Sequence, residues 1–220
     1  MDIMEAMRAR HSVRSYTDKP IEGETLQALE AQINACNRES GLHIQLVRNE
    51  PMAFGSGLAH YGKFSGVKNY LAMVGKKDKQ LDEKCGYYGE KLVLAAQALG
   101  LNTCWVGLTF KKIPDAFQIA DGEKLAIVIA IGYGATQGAA HRSKDAAAVS
   151  KAGGAPDWFA KGVEAALLAP TAMNQQKFLL LPSGDKVSAK AGFGPFSRVD
   201  LGIVKYHFEL GSGKDRDIWL

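Results

Sequence analysis

The chain has 220 residues, of which 46% are apolar and 23% are charged, and its formal net charge is +4. This is the composition of an ordinary globular protein with enough apolar side chains to bury a core. Lysine and arginine are scattered along the chain and not concentrated on one element, so we expect no nucleic-acid partner.

Features of membrane, secreted and metal-binding proteins are missing from the sequence. The longest apolar run, Leu125 to Ile131, is too short to span a bilayer, and the N-terminus lacks the basic and apolar regions of a signal peptide. The three cysteines, Cys36, Cys85 and Cys104, are far apart and form no C-x-x-C pair. They predict reduced thiols in a cytoplasmic protein, with neither a disulfide framework nor a metal site.

The first part of the chain alternates predicted helices and strands. Asp2 and Glu5 can form a capping pair for a short first helix, and residues 10–16 are predicted to be extended. Apolar side chains at helical spacing predict a second helix from about Glu22 to Cys36. Two strands are then predicted, at His43–Arg48 and Tyr70–Val74.

The middle of the chain contains the strongest helical pattern and the most apolar strand. A helix near Gly86–Leu99 places its apolar side chains on one face and should end at Gly100. The continuous apolar run Leu125–Gly132 is typical of a central strand that is buried on both faces. The stretch Gly134–Pro156 is rich in small residues and is predicted to be a long connection.

The last part is predicted to contain a helix, a strand and a closing helix, at Asp157–Ala169, Phe178–Leu181 and Asp200–Leu210. Gly211 is expected to end the closing helix. The order of elements predicts an α+β or α/β fold. Leu29–Val47 aligns without gaps on Val163–Leu181, which suggests an internal duplication, although chance similarity between helix-forming residues is an equal alternative.

Three segments carry candidate chemistry, and the first is Arg10-His11-Ser12-Val13-Arg14. In an extended chain, Arg10, Ser12 and Arg14 face the same side. Two guanidinium groups and a hydroxyl suit a phosphate, which they can bind through charge-assisted hydrogen bonds. The alternative is a solvated basic stretch without a ligand.

The second segment runs from Ala169 to Gln176, and the third from Gly100 to Leu108. In the second, Pro170 prevents the helix from continuing, and the polar side chains that follow can hydrogen-bond a planar heterocycle. Ordinary turn chemistry is the alternative there. In the third, Trp105 is by default a core residue, and Gly107 marks a place where the backbone can approach a ligand closely.

These segments, in this order, resemble the nitroreductase family of FMN enzymes. Residues 10–16, Arg-His-Ser-Val-Arg-Ser-Tyr, are similar to the family's opening Arg-Arg-Ser-x-Arg-x-Phe pattern. Residues 100–107, Gly-Leu-Asn-Thr-Cys-Trp-Val-Gly, resemble its segment beside the flavin ring, and Leu125–Tyr133 resembles the strand and Gly-Tyr turn that follow. The resemblance implies an α+β fold with a mixed central β-sheet surrounded by helices.

One family motif is displaced in this chain. Most members carry Pro-Ser-x-x-Asn-x-Gln-Pro shortly after the second helix, but Cys36–Ser40 lacks it and a similar motif stands at Pro170–Gln176. In ordinary members this motif reaches the flavin from the partner subunit. The resemblance therefore implies two half-repeats in one compact chain, residues 1–135 and 157–220 joined by 136–156. Such a chain would hold one complete flavin site, as a monomeric pseudo-dimer or within a homodimer.

The resemblance also assigns site residues. The FMN phosphate and ribityl chain would be bound by Arg10, His11, Ser12 and Arg14, and the ring would be lined by Pro170, Thr171, Asn174 and Gln176. The pyrimidine and N5 edge would be followed by Trp105, Val106, Gly107 and Leu108, with the Gly107 N–H donating to N5. Arg142 and Lys144 resemble a late basic pair on the phosphate.

The implied function is an FMN-dependent oxidoreductase with ping-pong kinetics. NAD(P)H would reduce the flavin and leave before a small electron-poor acceptor, such as a nitroaromatic or a quinone, takes its place. No catalytic side chain is required because the cofactor carries the chemistry. A flavin-binding carrier or sensor without turnover is the alternative from another class, and a structural α/β protein without flavin is a third.

Overall fold

The computed structural model describes residues 1–55, 57–151 and 153–220. They form two compact units, one made of residues 1–81 and 91–140 and the other of residues 82–90 and 141–220. Within the described residues, no helix is both long and apolar enough to cross a membrane. The half-repeats at 1–135 and 157–220 stay a prediction, and residue 152 of the predicted connection lies outside the described residues.

The first unit contains most of the elements that precede residue 140. Its helices and strands are α1 (Ile3–Ala9), α2 (Gly23–Ser40), β1 (His43–Val47), α3 (Gly57–Tyr61), β2 (Tyr70–Lys76), part of α4 (Leu81–Ala98), β3 (Asn102–Val106) and β4 (Glu123–Gly132). Residues 82–90 of α4 belong to the second unit. The capping pair predicted for α1 is confirmed, since Asp2 accepts from the Glu5 N–H and Glu5 accepts from the Asp2 N–H.

The strands of the first unit form a four-stranded sheet in the order β1-β2-β4-β3. All its strand pairs are antiparallel, with Leu46 opposite Leu71, Tyr70 opposite Ala130 and Cys104 opposite Ala130. The sheet is therefore antiparallel, whereas we had expected a mixed sheet. Parallel pairing occurs in this unit in the isolated bridges Ser12–Thr103 and Ser15–Ser65. The central, two-sided burial predicted for β4 is confirmed, because Val128, Ile129 and Ala130 are all fully buried.

The second unit combines helices with a two-stranded ribbon. Its elements are α5 (Ala146–Val149), α6 (Asp157–Ala166), β5 (Phe178–Ser183), β6 (Lys186–Ala191) and α7 (Ser197–Ser212). The rings of Phe159 on α6 and Phe208 on α7 lie 5.6 Å apart, edge to face. A Cβ atom on Gly202 of α7 would collide with the Glu83 carbonyl of α4, so this glycine lets the two helix backbones touch.

Gly211 does not end the closing helix, contrary to the sequence prediction. It lies inside α7, where a Cβ atom would collide with the side chain of Ala165 on α6. The helix ends at Ser212, and Gly213 takes up the left-handed conformation at φ 67°. Gly211 is therefore needed for the close packing of α7 on α6, whereas Gly213 provides the C-terminal cap.

Two strands were not predicted because their patterns are weak. β3 is five residues long, begins with Asn102 and follows the end of α4 almost at once. β6 has the sequence Lys-Val-Ser-Ala-Lys-Ala, and only Val187 is fully buried. A short strand whose side chains are mostly polar or small lacks the alternation that marks a half-buried strand.

Candidate cofactor-binding segments

The Arg10–Arg14 segment runs alongside β3 in the first unit. Arg10 lies at the end of α1, where its N–H donates to the Ala6 carbonyl at 2.9 Å. Ser12 then forms an isolated parallel bridge with Thr103, and the Val13 N–H donates to the Thr103 carbonyl at 3.0 Å. The segment is extended, as predicted, and its conformation is fixed by the adjacent strand.

The Cys104 thiol of β3 lies near Arg10, Ser12 and Arg14. Burial raises the pKa of this thiol, while the positive charge of Arg14, a hydrogen bond with Ser12 and the positive charge of Arg10 all lower it. The intervening Val13 is only 1% exposed and belongs to the apolar core. Val13 is therefore packed in the core while its neighbours act on the Cys104 thiol; that Arg10, Ser12 and Arg14 share one side of the segment stays a prediction.

The side chains of this segment differ in their exposure to solvent. Arg10 is only 4% exposed, Ser12 and His11 are half-buried, and Arg14 is exposed. The Arg14 guanidinium lies 5.9 Å from the centre of the Phe64 ring, within range of a cation–π contact. A phosphate at this surface would meet one guanidinium held in the protein and another that faces solvent.

The residues predicted to follow the pyrimidine and N5 edge of the flavin, Trp105–Leu108, lie in four different environments. Trp105 is half-buried, and Val106 is 2% exposed and packs in the core of the sheet opposite Val128. Gly107 is the first residue after β3, and Leu108 is 73% exposed. Val106 can therefore offer a ligand only its backbone, whereas Gly107 and Leu108 lie where the chain has left the sheet.

Asn102 organises this region, and sequence reasoning did not single it out. It is 4% exposed, its Oδ1 accepts from the Gly134 N–H at 3.0 Å, and its Nδ2 donates to Gln137 Oε1 at 3.0 Å. The bound loop continues to Gly138, where a Cβ atom would lie 2.9 Å from the Cβ of His11. Asn102 thus connects β3 to a loop that lies against the His11 side chain and the Ser12 carbonyl, and a single asparagine gives no sequence signal for this.

The Pro170–Gln176 segment belongs to the second unit and forms a strained turn. A short 3-10 helix spans Ala172–Asn174, and three non-glycine residues adopt left-handed backbone conformations, namely Met173 at φ 51°, Asn174 at φ 53° and Gln176 at φ 44°. The Thr171 hydroxyl oxygen accepts from the Gln176 N–H at 3.0 Å. Such conformations persist where the surroundings over-determine them, and they are common at functional sites.

Two of the three amide side chains of this turn, Asn174 and Gln176, donate to the carbonyl of Arg142. Asn174 Nδ2 donates to it at 2.8 Å and Gln176 Nε2 at 2.9 Å, and Gln176 Nε2 also donates to Asn174 Oδ1 at 2.8 Å. Lys144 completes the network, because its N–H donates to Gln176 Oε1 at 2.8 Å. The structure therefore brings Asn174 and Gln176 together with the predicted basic pair.

Arg142 and Lys144 differ in whether their side chains can bind a ligand. The Lys144 ammonium donates to the carbonyls of Gln175 and Gln176 at 2.8 and 3.0 Å, so it is committed to the turn. Arg142 is exposed, and among the described residues its contact with the turn is made by its backbone carbonyl. Of the two cations predicted to bind phosphate, Arg142 is the one whose side chain is left to meet a ligand.

Asn174→Ala should lower the free energy of unfolding by about 1–2 kcal/mol. The change removes the two hydrogen bonds of the Asn174 amide, to the Arg142 carbonyl and from Gln176 Nε2, and forces alanine into a left-handed conformation. Asn174→Gly is the matched variant, because it removes the same amide but tolerates φ 53°. Urea unfolding should therefore show a smaller loss for the glycine variant. If both variants are as stable as the parent, the Arg142 contact contributes nothing to the fold.

Comparisons with known proteins agree on one family. A family model described as "Putative TM nitroreductase" matches residues 2–212, and a search of curated proteins finds no match. Among solved structures, a "putative nitroreductase" of Thermotoga maritima is 21% identical, and the match covers 96% of this chain and 83% of that one with a TM-score of 0.65.

Two further structures match about two thirds of the chain. A "putative nitroreductase" of Desulfovibrio desulfuricans in complex with FMN is 21% identical, over 68% of this chain and 95% of its own, with a TM-score of 0.53. A nitroreductase family protein of Streptococcus pneumoniae is 15% identical, over 67% of this chain and 98% of its own, with a TM-score of 0.54. These likenesses confirm the predicted α+β, nitroreductase-like fold, and because the family model spans nearly the whole chain, the chain belongs to the nitroreductase family.

Proposed function

We propose that the chain binds FMN and uses NAD(P)H to reduce small electron-poor acceptors such as nitroaromatics or quinones. The observation that carries the proposal is the extended Arg10–Arg14 segment, which is bridged to β3 and places two guanidinium charges and a hydroxyl near the Cys104 thiol. The FMN complex of the Desulfovibrio desulfuricans relative supports flavin as the ligand.

The residues of the first unit fit the phosphate end of FMN. Two guanidinium groups match the geometry of a phosphate and give it charge-assisted hydrogen bonds. Ser12 adds a hydroxyl between them, and His11 is the candidate for the ribityl chain. The contacts proposed for Pro170, Thr171, Asn174, Gln176 and Arg142 of the second unit rest on the family resemblance alone.

The protein's part in the reaction is to bind and orient. When bound, FMN would supply the hydride chemistry, so the chain needs no acid or base of its own. Gly107 follows the last residue of β3, and its N–H is the candidate donor to the flavin N5 atom. Because the sheet fixes the position of Val106, the direction of the neighbouring Gly107 N–H is set by a rigid element.

Reduction of bound flavin by a nicotinamide separates an enzyme from a carrier or sensor. Under anaerobic conditions, NADH or NADPH should bleach the flavin absorbance of the FMN-loaded protein, and a quinone or nitroaromatic should restore it. Double-reciprocal plots of steady-state rates should then give parallel lines. A protein that binds FMN but is reduced by neither nicotinamide would instead be a carrier or sensor.

A further inference from the structure

Asp200 is a buried carboxylate aimed at the Pro170–Gln176 turn. It lies in the first turn of α7 and is only 3% exposed. Its Oδ1 accepts from the Ala172 N–H at 2.9 Å, and its Oδ2 accepts from Gln175 Nε2 at 2.7 Å. Both oxygens of this carboxylate are therefore used to hold one turn.

The Gln175 amide extends this contact to a second loop. Its Nε2 donates to Asp200 and also to the Pro195 carbonyl at 2.8 Å. Its Oε1 is buried and has no hydrogen-bond partner among the residues that the structure describes. Rotating the amide would place this oxygen against two acceptors, so Asp200 and Pro195 together dictate its orientation.

The turn needs such a support because its backbone is strained. Three of its non-glycine residues, Met173, Asn174 and Gln176, have positive φ angles. Residues in this region persist only when neighbouring contacts hold them there. The Ala172 N–H and the Gln175 side chain, both held by Asp200, flank Met173 and Asn174 along the chain.

We propose that Asp200 is the positioning residue of the Pro170–Gln176 turn: its carboxylate, acting through Ala172 and Gln175, holds Asn174 and Gln176 in the geometry that binds the Arg142 loop. The consequence for FMN rests on the proposed function, in which this turn contributes to cofactor binding. Asp200 acts through the turn and does not itself touch the reacting atoms.

This positioning depends on the ionised carboxylate. Burial raises the pKa of Asp200 to about 6, against the two hydrogen bonds from Ala172 and Gln175, which lower it. Below about pH 6 one carboxyl oxygen carries a proton, and because each oxygen faces an N–H donor, one of the two contacts is weakened. The turn should therefore be held firmly above this pH and loosened below it.

Other titratable groups on the packed elements do not account for this behaviour. Within the described residues, no charged side chain contributes to the pKa shift of Asp200. On α4 and α7, Glu83 pairs with Lys205, Glu90 with His207, and Tyr87 donates to Glu209. The remaining charged side chains on α6, α7 and the ribbon with its turn are exposed, namely Asp157, Lys161, Glu164, Asp185, Lys186, Lys190 and Arg198.

The test compares the parent chain with Asp200→Asn and Asp200→Ala between pH 5 and pH 8. Glu209→Gln is the matched control, because Glu209 is also a buried acid of α7 but accepts from Tyr87 and Trp219. Two readouts are needed: amide hydrogen exchange of residues 171–176, and FMN affinity by fluorescence titration. FMN phosphate also titrates near pH 6, so the informative quantity is the difference between parent and Asp200→Asn.

At pH 7.5 we expect Asp200→Asn to speed amide exchange of the turn by about tenfold or more and to weaken FMN binding by about three- to tenfold. The parent should approach the variant as the pH falls through about 6, whereas Glu209→Gln should keep the parent's pH dependence. Parent-like exchange in Asp200→Asn at pH 7.5 would overturn the inference, even if Asp200→Ala fails to fold. If the parent binds no FMN, the proposed function fails, and the exchange data still decide the role of Asp200.

Discussion

Replacing Arg10 with alanine should weaken FMN binding by about ten- to a hundredfold, because a charge-assisted hydrogen bond to a phosphate is worth about 1.5–3 kcal/mol. Arg10 is the more deeply buried of the two arginines beside Ser12, so water competes least for its contacts. Riboflavin lacks the phosphate and should bind almost equally well to both proteins. Fluorescence titration of the apoprotein with each flavin measures the difference.

Arg8→Ala is the matched control for this experiment. Arg8 is an exposed arginine in the last turn of α1, two residues before the candidate segment. Its removal changes the net charge by the same amount, so a general electrostatic effect would appear in both variants. Equal losses for FMN and riboflavin in Arg10→Ala would mean that Arg10 does not contact the phosphate.

Glu90→Ala should lower the free energy of unfolding by about 1–3 kcal/mol, the usual cost of leaving a buried hydrogen-bonding group without its partner. Glu90 and His207 are both fully buried in the second unit, and their Oε1 and Nε2 atoms lie 2.9 Å apart. His207 Nδ1 also lies 3.1 Å from the Ala165 carbonyl of α6. The substitution leaves the imidazole without its carboxylate partner in an apolar environment.

Glu39→Ala provides the comparison, since Glu39 pairs with Lys91 near the surface at 2.8 Å. An exposed ion pair contributes about 0–1 kcal/mol, so urea unfolding should show a small change for Glu39→Ala and a large one for Glu90→Ala. Comparable small changes for the two variants would show that the buried pair contributes no more than a surface pair.

The sequence predicted the parts of the fold whose apolar patterns are strong. The two-sided burial of β4 follows from its unbroken apolar run, and the left-handed Gly100 after α4 follows from the ordinary C-terminal capping of helices. β6 escaped prediction because one face of a two-stranded ribbon carries little apolar surface. Gly211 was misread because a glycine that permits close helix packing looks the same in sequence as one that caps a helix.

In the candidate segments, too, local features could be predicted from the sequence and long-range contacts could not. The extended conformation of Arg10–Arg14 is a local property of the chain, so it could be predicted, and the bridge between Ser12 and Thr103 confirms it. The partners of Asn174 and Gln176 could not be predicted, because Arg142 and Lys144 lie about thirty residues away along the chain. These long-range contacts depend on the conformation of the turn, which Asp200 holds through Ala172 and Gln175. Asp200 belongs to no recognisable sequence motif, so this role could not be predicted.

Flavin content tests the central claim, that this chain is an FMN protein of the nitroreductase family, most directly. Protein purified without added cofactor, and again after incubation with FMN and removal of the excess, should show flavin absorbance. The released flavin should be identified as FMN, at about one molecule per chain, as expected for a chain that carries one Arg-x-Ser-x-Arg segment. A colourless protein that retains no FMN after incubation would contradict the proposal.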